Sequence, residues 1–383
     1  MKGLRAIGLA GAVALLTACG SAPYRWPDEQ VPPSPPPQQA REPEAVAGPS
    51  LLRDKSRWTP VSWSALPGFE RDALVEAWNA WLKSCERPGR VLAPLCPDVR
   101  RLSIGDEAEK RDWMVSQLQP YRVEPLQEGS PDGLLTAYFE PEFEARRLPG
   151  QGFEVPLYQP PASLAARKPW FTRQEIDTVP AAQTALRGRA IVYLSDPVDA
   201  LVLQIQGSGR IRVTEPDGTR RLIRLAFAGH NGQPYQSIGR WLLDQGAVRD
   251  ASWPGIRAWM QQHPQGVAAL LWRNPRVVFF KEEPLGDFDA GFGPRGAQGV
   301  PLTPGRSIAV DPGSIPFGTP VWLASDGASG QLQRLVLAQD TGSAIVGAVR
   351  ADYFAGWGAQ AGELAGRLKQ PLRLWVLWPK SVD

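Results

Sequence analysis

Three aspartates close or follow short apolar runs in the C-terminal part of this 383-residue chain. Asp311 ends the run Ser307 to Val310, Asp340 ends the run that begins at Leu335, and Asp352 lies between Arg350 and Tyr353. Apolar runs of this length bounded by Gly and Pro read as short strands. An aspartate at a strand end is by default a turn residue. Three of them in one Gly-rich segment point further, because carboxylates at strand ends converge on one cleft when a sheet curls into a small barrel. Converging carboxylates suit general acid and base work, such as protonating the leaving oxygen of a glycosidic bond. A hydrolase would add a second carboxylate as base or nucleophile. One carboxyl used twice suffices when the sugar's own C6 hydroxyl attacks C1, since proximity replaces water as the nucleophile.

Other chemistries fit poorly. The two histidines, His230 and His263, have no Cys, His or carboxylate at metal-ligand spacing. No Gly-x-Ser-x-Gly elbow is present. Gly291 to Gly296 matches a dinucleotide pattern but holds a proline and precedes a loop, so it reads as a turn. The net charge of +3 gives no ground for a nucleic-acid partner. No cofactor and no metal is expected. The 15 tryptophans suit both a core and flat sugar-binding platforms, and none is assigned to sugar.

The elements that must position the aspartates follow from pattern. Helices are expected over Phe69 to Glu86, with Leu74, Trp78, Trp81, Leu82 and Cys85 on one face, and over Asp106 to Gln119. Gly133 to Glu140 reads as a strand. Thr172-x-x-Glu175 is a capping box. Arg189 to Leu194, Ala200 to Gln206, Ile211 to Thr214 and Arg220 to Phe227 read as strands, with an Asp217-Gly218 turn between the last two. Helices are expected over 236–245, 255–262, 266–272 and near 359–368. The division expected is a barrel domain over 57–141 and 287–383, with a second β-rich domain, 142–286, inserted in it.

Lys2, Arg5 and the apolar centre Ile7 to Leu16 precede Leu16-Thr17-Ala18-Cys19, which reads as a lipoprotein signal (1–18) with lipidation at Cys19. The apolar run is shorter than the roughly 20 residues that a span needs. Gly20 after the cysteine fits anchoring to the inner face of the outer membrane, from the periplasm. Residues 19–56 include the run Pro32 to Pro37 and read as an extended, lipid-anchored linker. In an oxidising periplasm Cys85 and Cys96 would form a disulfide; two free buried thiols are the alternative.

Several blocks, in order, carry a resemblance: TAYFEP (Thr136 to Pro141), QIQGSGR (Gln204 to Arg210), AGHNGQPYQSIG (Ala228 to Gly239), NPRVVFF (Asn274 to Phe280), GVPLTPGRSIAVDP (Gly299 to Pro312) and DTGSAIVG (Asp340 to Gly347). With them the chain resembles the family of membrane-bound lytic murein transglycosylase A, whose C-terminal part is named for three aspartates matched by Asp311, Asp340 and Asp352. The resemblance implies a mainly β protein with some α, a double-psi β-barrel carrying an inserted β-rich domain. It implies cleavage of peptidoglycan glycan strands without water, leaving a 1,6-anhydromuramic acid end. Asp352 would be the single acid and base, in an apolar pocket made by Tyr353, Phe354 and Trp357. Asp340 would hold Asp352 or the sugar in place by hydrogen bonding and help keep Asp352 protonated by its charge, and Asp311 would fix the loop at Pro312-Gly313. Tyr138, Glu140, Gln206, Gly207, Ser208 and Tyr235 would contact substrate. Partners implied are glycan strands, the membrane through the lipid anchor and a wall-remodelling complex. Two rival readings stay open. One is an aspartic protease, from the lone Asp340-Thr341-Gly342 triplet, which would need a dimer to pair its aspartate. The other is a wall-binding module without activity.

Overall fold

A computed structural model describes residue 46, residues 48–127 and residues 132–380. The signal segment, the lipidation site at Cys19 and most of the proline-rich stretch lie outside the described residues. No helix among the described residues is long and apolar enough to cross a membrane.

Fifteen strands are described. The first four are β1 (Leu51–Leu52), β2 (Ser56–Pro60), β3 (Leu118–Pro125) and β4 (Gly133–Glu140). Then come β5 (Glu142–Arg146), β6 (Val155–Tyr158), β7 (Ala190–Leu194), β8 (Ser208–Thr214), β9 (Arg220–His230) and β10 (Val278–Pro284). The last five are β11 (Ser307–Val310), β12 (Pro320–Gly327), β13 (Gly330–Asp340), β14 (Arg350–Trp357) and β15 (Lys369–Pro379). They form two sheets.

The first sheet runs β1-β2-β3-β15-β12-β13-β11-β14-β4, and β4 also pairs with β15. That last pairing closes six strands, β15-β12-β13-β11-β14-β4, into the double-psi β-barrel. Closure leaves no open edge among these strands. The β11/β13 and β14/β4 pairs are parallel and the remaining barrel pairs antiparallel. The interior is filled by Leu135, Ile308, Val310, Val321, Leu323, Val336, Ala338 and Ala351. The outer face of β12 and β13 packs under the helix Leu74–Ser84 through Trp78, Trp81, Trp322 and Leu335. Strand β1, which falls in the stretch expected to be linker, belongs to this sheet.

The second sheet runs β10-β9-β8-β5-β7-β6, with β10 returning beside β6, so it is nearly closed. All its strands fall between Glu142 and Pro284. Ile191, Val192, Leu203, Ile211, Val213, Leu225 and Phe280 make its core.

Local chemistry explains where expectation and structure part. Ala200 to Gln206 is not a strand but lies in the helix Pro197–Gln206. Asp196 accepts from the Val198 N–H at its start and Pro197 takes the first turn, an N-terminal pair that outweighs the apolar run. The helix is buried on two sides: Leu203 and Ala200 face the second sheet's core, while Val198, Leu201 and Val202 face a cluster with Ile238, Leu242 and Ile256. A helix apolar all round loses its 3.6-residue stripe and looks like a strand. It stops at Gly207, whose φ of +82° suits glycine. The helix expected over Phe69 to Glu86 begins only at Leu74, after a short 3-10 turn at Phe69–Arg71. Asp72, between them, is held by the Arg306 guanidinium and the Leu335 N–H. The helix Glu107–Gln117 is capped by Asp106. Cys85 and Cys96 are joined in a disulfide.

Candidate active site

The barrel places two of the three aspartates together. Asp340 ends β13, and Asp352 sits in β14; β11 runs between them, with Ala309 in register with both. Their Cα atoms are therefore two strand spacings apart, about 9.6 Å. The small side chain of Ala309 leaves the space between them open, and all three residues line a cleft of about 880 Å³.

Strand β4 serves both carboxyl groups. Its alternation sends Leu135 into the barrel core and Thr136, Tyr138 and Glu140 to the opposite face. Thr136 is in register with Asp352 and donates its hydroxyl to Oδ1 of that residue. The same hydroxyl accepts from Nη2 of Arg350 at 2.8 Å. Tyr138 donates to Oδ2 of Asp340 at 2.8 Å. The N–H groups of Ala297 and Thr341 both donate to Oδ1 of Asp340 at 2.9 Å. Both oxygens of Asp340 are thus occupied. Among the described residues no protein donor reaches Oδ2 of Asp352.

Burial raises both carboxyl groups above the ordinary aspartate range. For Asp352 the Thr136 hydrogen bond and the Arg350 charge pull partly back. For Asp340 the donors of Tyr138, Thr341 and Ala297 pull back, while the charge of Asp352 raises it further. Like-charge repulsion between the two carboxylates disfavours ionising both at once. Tyr138 is itself raised well above its usual value by burial and by the carboxylate it serves.

The third aspartate is elsewhere. Asp311 does not line the cleft; it accepts from Lys55 Nζ at 2.8 Å, the Gly347 N–H at 2.8 Å and the Gly313 N–H at 3.0 Å. It pins two loops, including the one at Pro312-Gly313. These donors hold its carboxyl below the ordinary range, although burial opposes them.

Glu140, expected to touch substrate, is fully buried and does not line the cleft. It accepts from Arg210 Nε at 2.9 Å and Arg224 Nε at 2.6 Å, both on the second sheet. The two arginines also grip the carbonyls of Ala290 and Phe292. A buried carboxylate requires such partners, so its role is to tie the second sheet to the barrel. Tyr138, Gln206, Gly207, Ser208 and Tyr235 do line the cleft. Gln206 uses Oε1 to accept from the Phe139 N–H at 3.0 Å. The apolar surroundings of Asp352 also differ from expectation. Alternation turns Tyr353 to the other face, where it bonds Arg334 and the Gly305 carbonyl. Trp357 lies under the Arg210 guanidinium at 3.9 Å. Phe354 alone remains on the side of Asp352, its ring 5.3 Å from that of Tyr138.

Thr136 and Arg350 were not singled out from the sequence. The signal for Thr136 was available: it lies two residues before Tyr138, hence on the same strand face.

A six-stranded barrel with two raised carboxyl groups on an open cleft defines a barrel-based protein with paired carboxyl groups at a ligand-sized cavity. Known proteins narrow this. Residues 134–281 match the model described as MltA specific insert domain, and residues 306–378 match the 3D domain. The membrane-bound lytic murein transglycosylase A of Vibrio cholerae is 34% identical over 256 residues, 64% of this chain and 65% of that protein's length. The solved structure of the lytic transglycosylase LtgG of Burkholderia pseudomallei is 41% identical, covering 89% of this chain and 100% of that one, with a TM-score of 0.59. The structure of Escherichia coli MltA with bound chitohexaose is 26% identical, covering 81% and 91%, with a TM-score of 0.65. The chain belongs to the membrane-bound lytic murein transglycosylase A family.

Proposed function

We propose that this protein is a peptidoglycan lytic transglycosylase that cleaves the β-1,4 bond between N-acetylmuramic acid and N-acetylglucosamine without water. The observation that carries the assignment of Asp352 is its free Oδ2. Thr136 donates to Oδ1, so the proton of the neutral acid resides on Oδ2, facing the cleft. Burial favours that neutral form, as a general acid at neutral pH requires.

The steps follow. Oδ2 of Asp352 gives its proton to the bridging oxygen as the C1–O bond breaks, leaving positive charge on the muramoyl ring. The carboxylate formed then takes the proton of the C6 hydroxyl, whose oxygen closes on C1. The acid is regenerated and no water is consumed. Asp340, with both oxygens held, acts as a fixed polar wall. Phe227 and Tyr235, half exposed in the cleft, offer flat faces to sugar rings. Chitohexaose in the Escherichia coli relative is a β-1,4 glycan of the same backbone type. We place the barrel domain at 57–141 and 287–383 and the substrate-gripping insert at 142–286. The name of the Vibrio relative and the Leu16 to Cys19 site support periplasmic attachment to the outer membrane through a lipid on Cys19.

Mass spectrometry of fragments released from purified sacculi tests the reaction. Anhydro ends, one water lighter than reducing ends, are expected. Reducing ends alone would make the protein a hydrolase. Binding with no new ends would make it a wall-binding module.

A further inference from the structure

The cleft wall built by the second sheet carries charges that the proposed reaction does not use. Lys281 and Glu283 answer each other at 2.7 Å. Arg276 has no such partner. Its Nη1 reaches only the Gln233 carbonyl, at 3.3 Å, and among the described residues it joins no salt bridge. His230, also on the wall, accepts the Gly232 N–H on Nδ1 at 2.9 Å. The neutral ring therefore carries its proton on Nε2, which is left to donate. Burial depresses the His230 pKa below its usual value, and the charges of Arg276 and Lys168 add to that. Lys168 too joins no salt bridge among the described residues.

This cationic end is rigidly built. Asn231 and Asn274, both buried, flank the two residues. Asn231 donates to the carbonyls of Phe171 and Pro275 and accepts from the Val277 N–H. Asn274 accepts from the N–H groups of Gln236 and Arg276. Side chains on a backbone held this way need little ordering when a ligand arrives. His230 lies four strand residues beyond Ala226, which pairs with Ser208, so it is about 13 Å along the wall from the glycine turn at 3.3 Å per residue.

A half-buried cation without an acid partner, beside an imidazole N–H free to donate, matches an anionic group on the ligand of the cleft. The sugar rings of a glycan strand are neutral. Its carboxylates hang from the 3-O-lactyl arm, either as the free lactyl acid or on a peptide attached to it. We propose that Arg276 and His230 form a subsite for a carboxylate carried by the lactyl arm of the bound glycan, with the exposed Lys168 adding its charge. The proposal rests on the glycan-cleaving reading above.

Equilibrium binding to the full chain carrying Asp352→Asn, alone and with Arg276→Gln, tests it. Three probes are compared: peptide-bearing glycan strands, amidase-treated strands with free lactyl carboxylates, and neutral chitohexaose. Arg276→Gln is expected to weaken the acidic strands by about tenfold or more, the scale of a charged hydrogen bond, and chitohexaose by less than about twofold. Loss confined to the amidase-treated strands assigns the lactyl acid; loss confined to the peptide-bearing strands assigns the peptide. Equal loss on chitohexaose, or no loss on any probe, overturns the subsite. Lys168→Gln, at an exposed position, should give a smaller loss of the same selectivity and replaces Arg276→Gln if that variant does not fold. If no probe binds, the glycan reading fails and the subsite with it. If sacculi yield no anhydro ends but the acidic contrast persists, only the reaction assignment fails.

Discussion

The phenol of Tyr138 donates to Oδ2 of Asp340 at 2.8 Å from the strand on which Thr136, two residues earlier, donates to Asp352. One face of β4 therefore orients both carboxyl groups. Tyr138 favours the ionised form of Asp340 against the burial that raises it. Removing the hydroxyl in Tyr138→Phe should raise the Asp340 pKa further. If ionised Asp340 is needed, the acid limb of the kcat/KM profile moves to higher pH. An unmoved limb in a folded variant would detach Asp340 from the rate.

Asp311 should behave as a stability residue. Its folded pKa is lowered below 3.8, so its contribution is present above the unfolded value and disappears as pH falls through the folded one. Asp311→Asn should cost about 1–3 kcal/mol at pH 7, mostly from the two backbone donors. Lys55 is 45% exposed and contributes less. Unfolding curves of variant and parent should converge near the acid end. A constant gap across pH would contradict the titration argument.

Glu140 is the acid of a buried cluster whose arginines come from the second sheet. Glu140→Ala leaves Arg210 and Arg224 without their counter-charge and should destabilise by about 3–5 kcal/mol in urea unfolding. A loss under about 1 kcal/mol would mean that water or carbonyls alone satisfy them.

Membrane attachment is checked by fractionation. Cys19→Ala should move the protein from the membrane fraction to the soluble periplasm. Retention at the membrane without lipid would place the anchor elsewhere.

Part of the barrel was legible: β4, β11 and the end of β13 are apolar runs bounded by Gly, Pro or Asp, whereas β12 and β15 were not singled out. The convergence of Asp340 and Asp352 was legible too. Their hydrogen bonding was not, since it depends on the parallel β4/β14 register that sets Thr136 opposite Asp352. Tyr353 was assigned to the pocket although alternation sends neighbours of Asp352 away from it. Glu140 was expected at the substrate because the sequence does not reveal that two arginines about 70 and 84 positions later close over it. The helix Pro197–Gln206 was hidden by being buried on both sides, although Asp196-Pro197 announced its start.

The central claim is that Asp352 supplies and retrieves the proton through its free Oδ2. The most direct measurement is the rate of anhydro-end release from sacculi by folded Asp352→Asn, with glycan binding measured alongside. The account predicts a loss of at least about a hundredfold, the usual scale for a general acid, with binding retained. Release at a near-normal rate would contradict it and transfer the role to Asp340.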